Sequence, residues 1–155
     1  MKFTFFLLLV VTMISLASPE SDMNSILDAL YRADGEIVYR GLSIENQESL
    51  SMVMAMVRLA PEQVAEQFRQ ELDICISSSE VVILTPESLI SVVINSPYFK
   101  EELPYSREMI DCTGHFMRGD TAMVYIAIVN EDSVYRHPMI LQEGSWRVAA
   151  SFFGN

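Results

Sequence analysis

Residues 109–148 read MIDCTGHFMRGDTAMVYIAIVNEDSVYRHPMILQEGSWRV, and this stretch decides the fold. Four runs, 109–118, 121–129, 134–141 and 146–152, read as strands, short and bounded on the inside by turn residues. Between the runs stand Gly119-Asp120, residues 130–133, and residues 142–145 with Gly144. Each separator supplies residues that tolerate tight turns, so neighbouring strands pair antiparallel as a meander.

Upstream the period lengthens to that of a helix. Met23, Ile26, Leu27, Leu30 and Tyr31 recur at i, i+3, i+4, i+7 and i+8, which predicts an amphipathic first helix capped by Ser21 or Asp22 and stopped by Gly35. Residues 36–42 read either as a second short helix or as a turn-rich connection. Within 47–59, Leu50, Met52, Val53, Met54, Met56 and Val57 leave no polar face, the mark of a buried helix. The methionines are read as core filler, with a plastic binding surface as the alternative. Pro61 opens a further helix whose apolar face is Val64, Ala65, Phe68 and Leu72. Residues 80–84 read as a short strand. Thr85-Pro86-Glu87 then starts a helix carrying Leu89, Ile90, Val92 and Val93, which ends before Ser96-Pro97. Residues 97–107, with Pro104, are expected to be a long loop or lid. Helices first and an antiparallel sheet last is the order of an α+β domain.

The chain begins Met1-Lys2, continues almost wholly apolar from Phe3 to Leu16, and reaches Ser15-Leu16-Ala17 before Ser18. A positive start, a short apolar run and a small-x-small site form an export signal, cut between Ala17 and Ser18. The run is shorter than the roughly 20 apolar residues needed to cross a bilayer. Residues 18–155 are therefore expected as one domain without stable membrane insertion, in the periplasm or outside the cell.

The full chain carries 10 Lys and Arg against 21 Asp and Glu, a net charge of −11. Loss of Lys2 with the leader takes the balance to −12. Such a charge repels phosphate backbones and anionic lipid surfaces, which excludes nucleic acid as an expected partner. Only Cys75 and Cys112 are present. In an oxidising compartment they are expected to form one bridge, which would close a loop of about 38 residues and stabilise by roughly 4 kcal/mol in the chain-entropy model. Two separate buried thiols are the alternative.

Two pieces carry a family resemblance. The first is Ala33-Asp34-Gly35-Glu36-Ile37-Val38-Tyr39. The second is Gly119-Asp120-Thr121-Ala122 followed by His137-Pro138-Met139-Ile140-Leu141-Gln142-Glu143-Gly144-Ser145-Trp146-Arg147-Val148. They resemble the NTF2-like superfamily and its small exported SnoaL-like bacterial domains. The long, methionine-rich region 52–103 departs from the family's usual pattern. The resemblance implies helices packed on a curved antiparallel sheet, a cone of NTF2-like or cystatin-like shape with a pocket at its wide end. Members isomerise or cyclise small molecules, bind ligands without chemistry, or serve as assembly modules, and fold does not choose among these.

Acid–base chemistry in such a pocket needs a carboxylate or imidazole base facing a hydroxyl donor. Plain alternation puts Asp111, Thr113, His115 and Met117 on one face of their strand, which makes His115 or Asp111 the candidate catalytic base and Tyr125 or Tyr135 the candidate donor. Tyr135, His137, Met139 and Leu141 share a face of theirs. Tyr125, Tyr135, His137 and Met139 are the candidate binding residues. Two isolated histidines and two distant cysteines match no metal-ligand spacing, and no cofactor motif is present. The expectation is an exported, non-catalytic domain with an apolar pocket for a small molecule or an envelope protein. A small-molecule isomerase or cyclase, and a structural protein dimerising through its sheet, are the alternatives.

Overall fold

The computed structural model describes residues 18–103 and 105–149. The leader with its cut after Ala17 lies outside them, as does the end predicted for the last strand at residue 152. Among the described residues, seven helices pack with a four-stranded antiparallel sheet that is not closed into a barrel, an α+β architecture. No helix among them is long and apolar enough to cross a membrane.

Helix α1 runs Pro19–Tyr31. Its cap is Ser18, whose Oγ accepts from the Ser21 amide, so the helix begins earlier than a Ser21 or Asp22 cap would allow. Pro19 at the first position explains the shift, since its fixed φ and missing amide suit a helix start. The helix ends at Tyr31, and Ala33 takes a positive φ of 56° in the turn that follows. Gly35 is therefore not the stop. It is the first residue of α2, Gly35–Arg40, where a Cβ would fall 2.3 Å from both the Glu87 carbonyl and Ser91 Oγ. The absent side chain lets α2 lie directly on the later helix that carries Glu87 and Ser91.

Helix α3 (Ile44–Val57) starts at Ser43, and α4 spans Pro61–Leu72. The α2–α3 corner is held by Gln47, whose Nε2 donates to the carbonyls of Tyr39 and Leu42 at 3.0 Å each. The predicted burial of α3 on all sides does not hold. Met54 is buried, but Met52 is 64% exposed and Met56 68%. Sequence counts apolar side chains; burial also needs a neighbour on each face, and here only one face of α3 has one.

Of the residues predicted as a strand at 80–84, all but Leu84 belong to helix α5, Ser78–Ile83, and Leu84 follows as its C-cap. A capping box decides it: Ser77 Oγ accepts from the Glu80 amide while Glu80 reaches back to the Ser77 amide at 2.8 Å. Helix α6, Pro86–Asn95, has its predicted Thr85 cap. The expected loop at 97–107 contains helix α7, Pro97–Glu102, started by Ser96 Oγ and Pro97. A 3₁₀ turn at Arg107–Met109 follows. Arg107 ties it to α1 through Asp28 Oδ1 at 2.7 Å and Asn24 Oδ1 at 2.8 Å.

The strands are β1 Ile110–Arg118, β2 Thr121–Ile128, β3 Val134–Gln142 and β4 Ser145–Val148, in that order across the sheet. Glu143 and Gly144 both have positive φ, the two-residue hairpin turn whose twist matches the flanking strands. Helix α1 covers one face. Its Met23 meets Ala122, Val124, Ile126, Met139 and Trp146 in a core cluster. Two further clusters lie wholly among helices, one around Ala29, Val38 and Ile94, the other around Met54, Leu84 and Leu89.

The expected disulfide is absent: Cys75 and Cys112 are both free thiols. They belong to different parts of the fold. Cys112 is on β1 and packs against the sheet cluster, whereas Cys75 is exposed in the segment joining α4 to α5.

Candidate functional site

The predicted placing of Asp111 and His115 on one face rests on uninterrupted alternation along β1, and β1 is interrupted. Cys112 pairs with Ile126, but the next pair is Gly114 with Tyr125, so one extra residue, Thr113, is inserted as a bulge. Parity inverts there. Asp111 lies opposite Ala127 on the outer face, while His115 lies opposite the fully buried Val124 on the face that α1 covers. The two candidate catalytic residues stand on opposite faces of the sheet. Tyr125, opposite Gly114, is also on the outer face.

On β3 the alternation is regular, and Tyr135, His137, Met139 and Leu141 share the inner face as read from sequence. His137 pairs with Val124 and completes a cross-strand row His115, Val124, His137. The two imidazoles are thus two strand spacings apart, roughly 10 Å. Burial lowers the pKa of His137 from its usual 6.5. Met139 is fully buried opposite Ala122 and acts as core. Tyr135 lies at the open end of the sheet, its hydroxyl 3.3 Å from Glu131 Oε2, and the negative charge of Glu131 raises its pKa.

His115 meets a different carboxylate. Its Nδ1 lies 2.6 Å from Oε1 of Glu20, in the first turn of α1, and this contact with His115 lowers the pKa of Glu20 below 4.5. Glu20 carried no sequence signal for this role. An acid in the first turn of a helix is ordinary, and the partner is ninety-five residues away.

A strongly apolar concavity lies elsewhere, in the helical layer. It is partly open, has a volume of ≈ 390 Å³, and receives no strand residue. One wall is Leu30 of α1, Val38 of α2 and Leu42 after it. A second is Leu50 and Val53 of α3, with Asn46 one turn before Leu50. Leu89, Ile90, Val93 and Ile94 of α6 face them, and Phe99 of α7 completes the lining. Ten of these eleven residues are apolar and none is ionisable at neutral pH. The single polar one, Asn46, donates from Nδ2 to the Val148 carbonyl at 3.2 Å, which fixes the first turn of α3 against the end of β4.

None of Asp111, His115, Tyr125, Tyr135, His137 or Met139 lines this cavity. The cone implied by the family resemblance would put a pocket between sheet and helices; this one lies between helices. The sequence places Leu30, Leu50, Val53, Leu89, Ile90 and Val93 on apolar helix faces and Phe99 in the expected loop, and marks none of them as the lining of a pocket. What the periodicity does not report is that the helical faces fail to close on one another.

No protein-family model matches the chain, and none of the curated proteins or solved structures compared with it is significantly similar. The reading of this site therefore rests on its geometry.

Proposed function

We propose that this chain is an exported, non-catalytic binding domain of the NTF2-like type that holds a small apolar molecule in the cavity of its helical layer. The observation that carries the reading is a cavity of ≈ 390 Å³ with ten apolar side chains among its eleven lining residues. That volume falls within the range of small-molecule sites, roughly 300–1,000 Å³. A wall of Leu, Val and Ile offers burial and no acid or base, which favours binding over turnover. The isomerase alternative has less support, because neither candidate base, His115 or Asp111, and neither candidate donor, Tyr125 or Tyr135, lines the cavity.

Native mass spectrometry of the protein purified from its own exporting host tests the proposal. The expected result is a non-covalent adduct that disappears on denaturation. A bare mass, together with no binding of apolar probes by the purified protein, would overturn it.

Self-association through the outer face of the sheet is a second reading. It is favoured by Phe116, 63% exposed and in one cross-strand row with Met123 and Pro138. A dimeric mass in solution that Phe116→Lys converts to a monomer would support it.

A further inference from the structure

We infer that the cavity takes the single hydrocarbon chain of an amphiphile with an uncharged headgroup, burying about ten to fifteen carbons and leaving the head in water. This rests on the cavity being a ligand site. It adds the class of ligand, which follows from volume, lining, opening and charge.

A dry apolar cavity of roughly 150 Å³ accommodates a six-carbon ring, which is roughly 25 Å³ per carbon. At that density a cavity of ≈ 390 Å³ holds about fifteen carbons, and fewer where its mouth is wet. A sterol-sized ring system is too large, and a lone six-carbon ring leaves more than half the space empty. The lining offers no charged group and one polar side chain, so any polar atom carried deep inside would lose its water without a partner, at a cost of several kcal/mol. The buried portion is therefore hydrocarbon. Phe99 is the one aromatic ring in the lining, so a planar ligand finds at most one stacking partner, while an alkyl chain packs against Leu50, Val53, Ile90 and Val93 alike.

The opening to solvent determines where the polar end goes. A molecule with one polar end seats its chain inward and keeps its head hydrated at the mouth. Headgroup charge is set by the protein's own field. The net charge of −11 disfavours a carboxylate or phosphate head, and no Lys or Arg lines the cavity to offset that repulsion.

Isothermal titration calorimetry with alkyl maltosides of six to sixteen carbons, each below its critical micelle concentration, tests the inference. Affinity should rise about fourfold per added methylene, as expected for complete burial of each group. The rise should stop between ten and fifteen carbons. Val93→Phe and Val53→Phe, on opposite walls, each add about four carbons to the lining and should move the break to correspondingly shorter chains. Two variants are used so that misfolding of one, seen by circular dichroism, leaves the other to decide.

Affinity that does not depend on chain length, or that climbs unbroken to sixteen carbons, would overturn the inference. So would decanoate binding as tightly as decyl maltoside, which would refute the uncharged head. Tighter binding of 9-anthracenemethanol than of dodecyl maltoside would keep the cavity as a ligand site but reject the chain. Failure of every one of these probes to bind would remove the ligand site itself, and the proposed function with it.

Discussion

The backbone amide of Trp146 donates to Oδ2 of Asp22 at 2.7 Å, tying the first helix to the last strand across 124 residues. The bond is partly buried and charge-assisted, and Trp146 and Met23 lie in the same core cluster. Asp22→Ala leaves that amide without its acceptor and should cost about 1–3 kcal/mol. For a domain of this size the melting temperature should fall by roughly 3–12 °C. Asp22→Asn keeps an acceptor and should lose less. Thermal melts of both variants check the order, and equal losses would mean that the hydrogen bond is not what Asp22 contributes.

The meander and the helix-then-sheet order are legible in the sequence because short strand-like runs, turn residues and helix-capping residues act within a few positions of one another. Misreadings arise where the deciding partner is local but of a different kind, or distant. Residues 80–84 carry a short apolar run that either period fits, and the Ser77 and Glu80 capping box settles it as helix. One inserted residue at Thr113 inverts every face assignment after it on β1, and the local sign of it is Gly114 next door, since a glycine inside a strand often marks a bulge. The cavity is less legible still. It depends on how far α3 and α6 stand apart, and residues such as Val53 and Val93 look the same in sequence whether they touch or leave a gap.

Gly35 sits where α2 crosses α6, its amide donating to Ser91 Oγ at 3.0 Å. An added Cβ would lie 2.3 Å from the Glu87 carbonyl, a backbone atom that moves only with the helix. Gly35→Ala should therefore destabilise by about 3 kcal/mol or more, at or above the usual cost of overpacking. Because α2 and α6 form two walls of the cavity, the same substitution should also weaken whatever binds there. Urea unfolding of the variant gives the first quantity, and no change in midpoint would contradict the close approach.

Acidification should destabilise the domain in two stages, both from the inner face of the sheet. His137 has its pKa lowered by burial, so the native state prefers the neutral ring. Its contribution is fully present above the unfolded value near 6.5 and is lost as pH falls through the lower folded value. Glu20 is lowered by His115, so its contribution is present above 4.5 and is lost as pH falls through the lower folded value. On the same face, Cys112 and Tyr135 have raised pKa values and stay neutral throughout this range. Urea midpoints from pH 7.5 to 3.5 should fall in both windows. His137→Gln should flatten the upper part and Glu20→Gln the lower; a wild-type midpoint constant from pH 7.5 to 5 would refute the assignment to His137.

The two cysteines should report their separation through their reactivity. Cys75 is exposed, whereas Cys112 is partly buried in the sheet cluster and burial raises its pKa. The thiolate is the attacking species, so burial slows Cys112 both by shielding it and by raising its pKa, and exposed Cys75 reacts first. Titration of the native protein with a thiol-specific disulfide reagent at pH 8 should give one fast equivalent, lost in Cys75→Ser. The second equivalent should appear slowly, or on adding denaturant, and disappear in Cys112→Ser. A mass deficit of two hydrogens in protein taken directly from its own host, with no reactive thiol, would instead show a bridge between positions that the fold places in different parts of the structure.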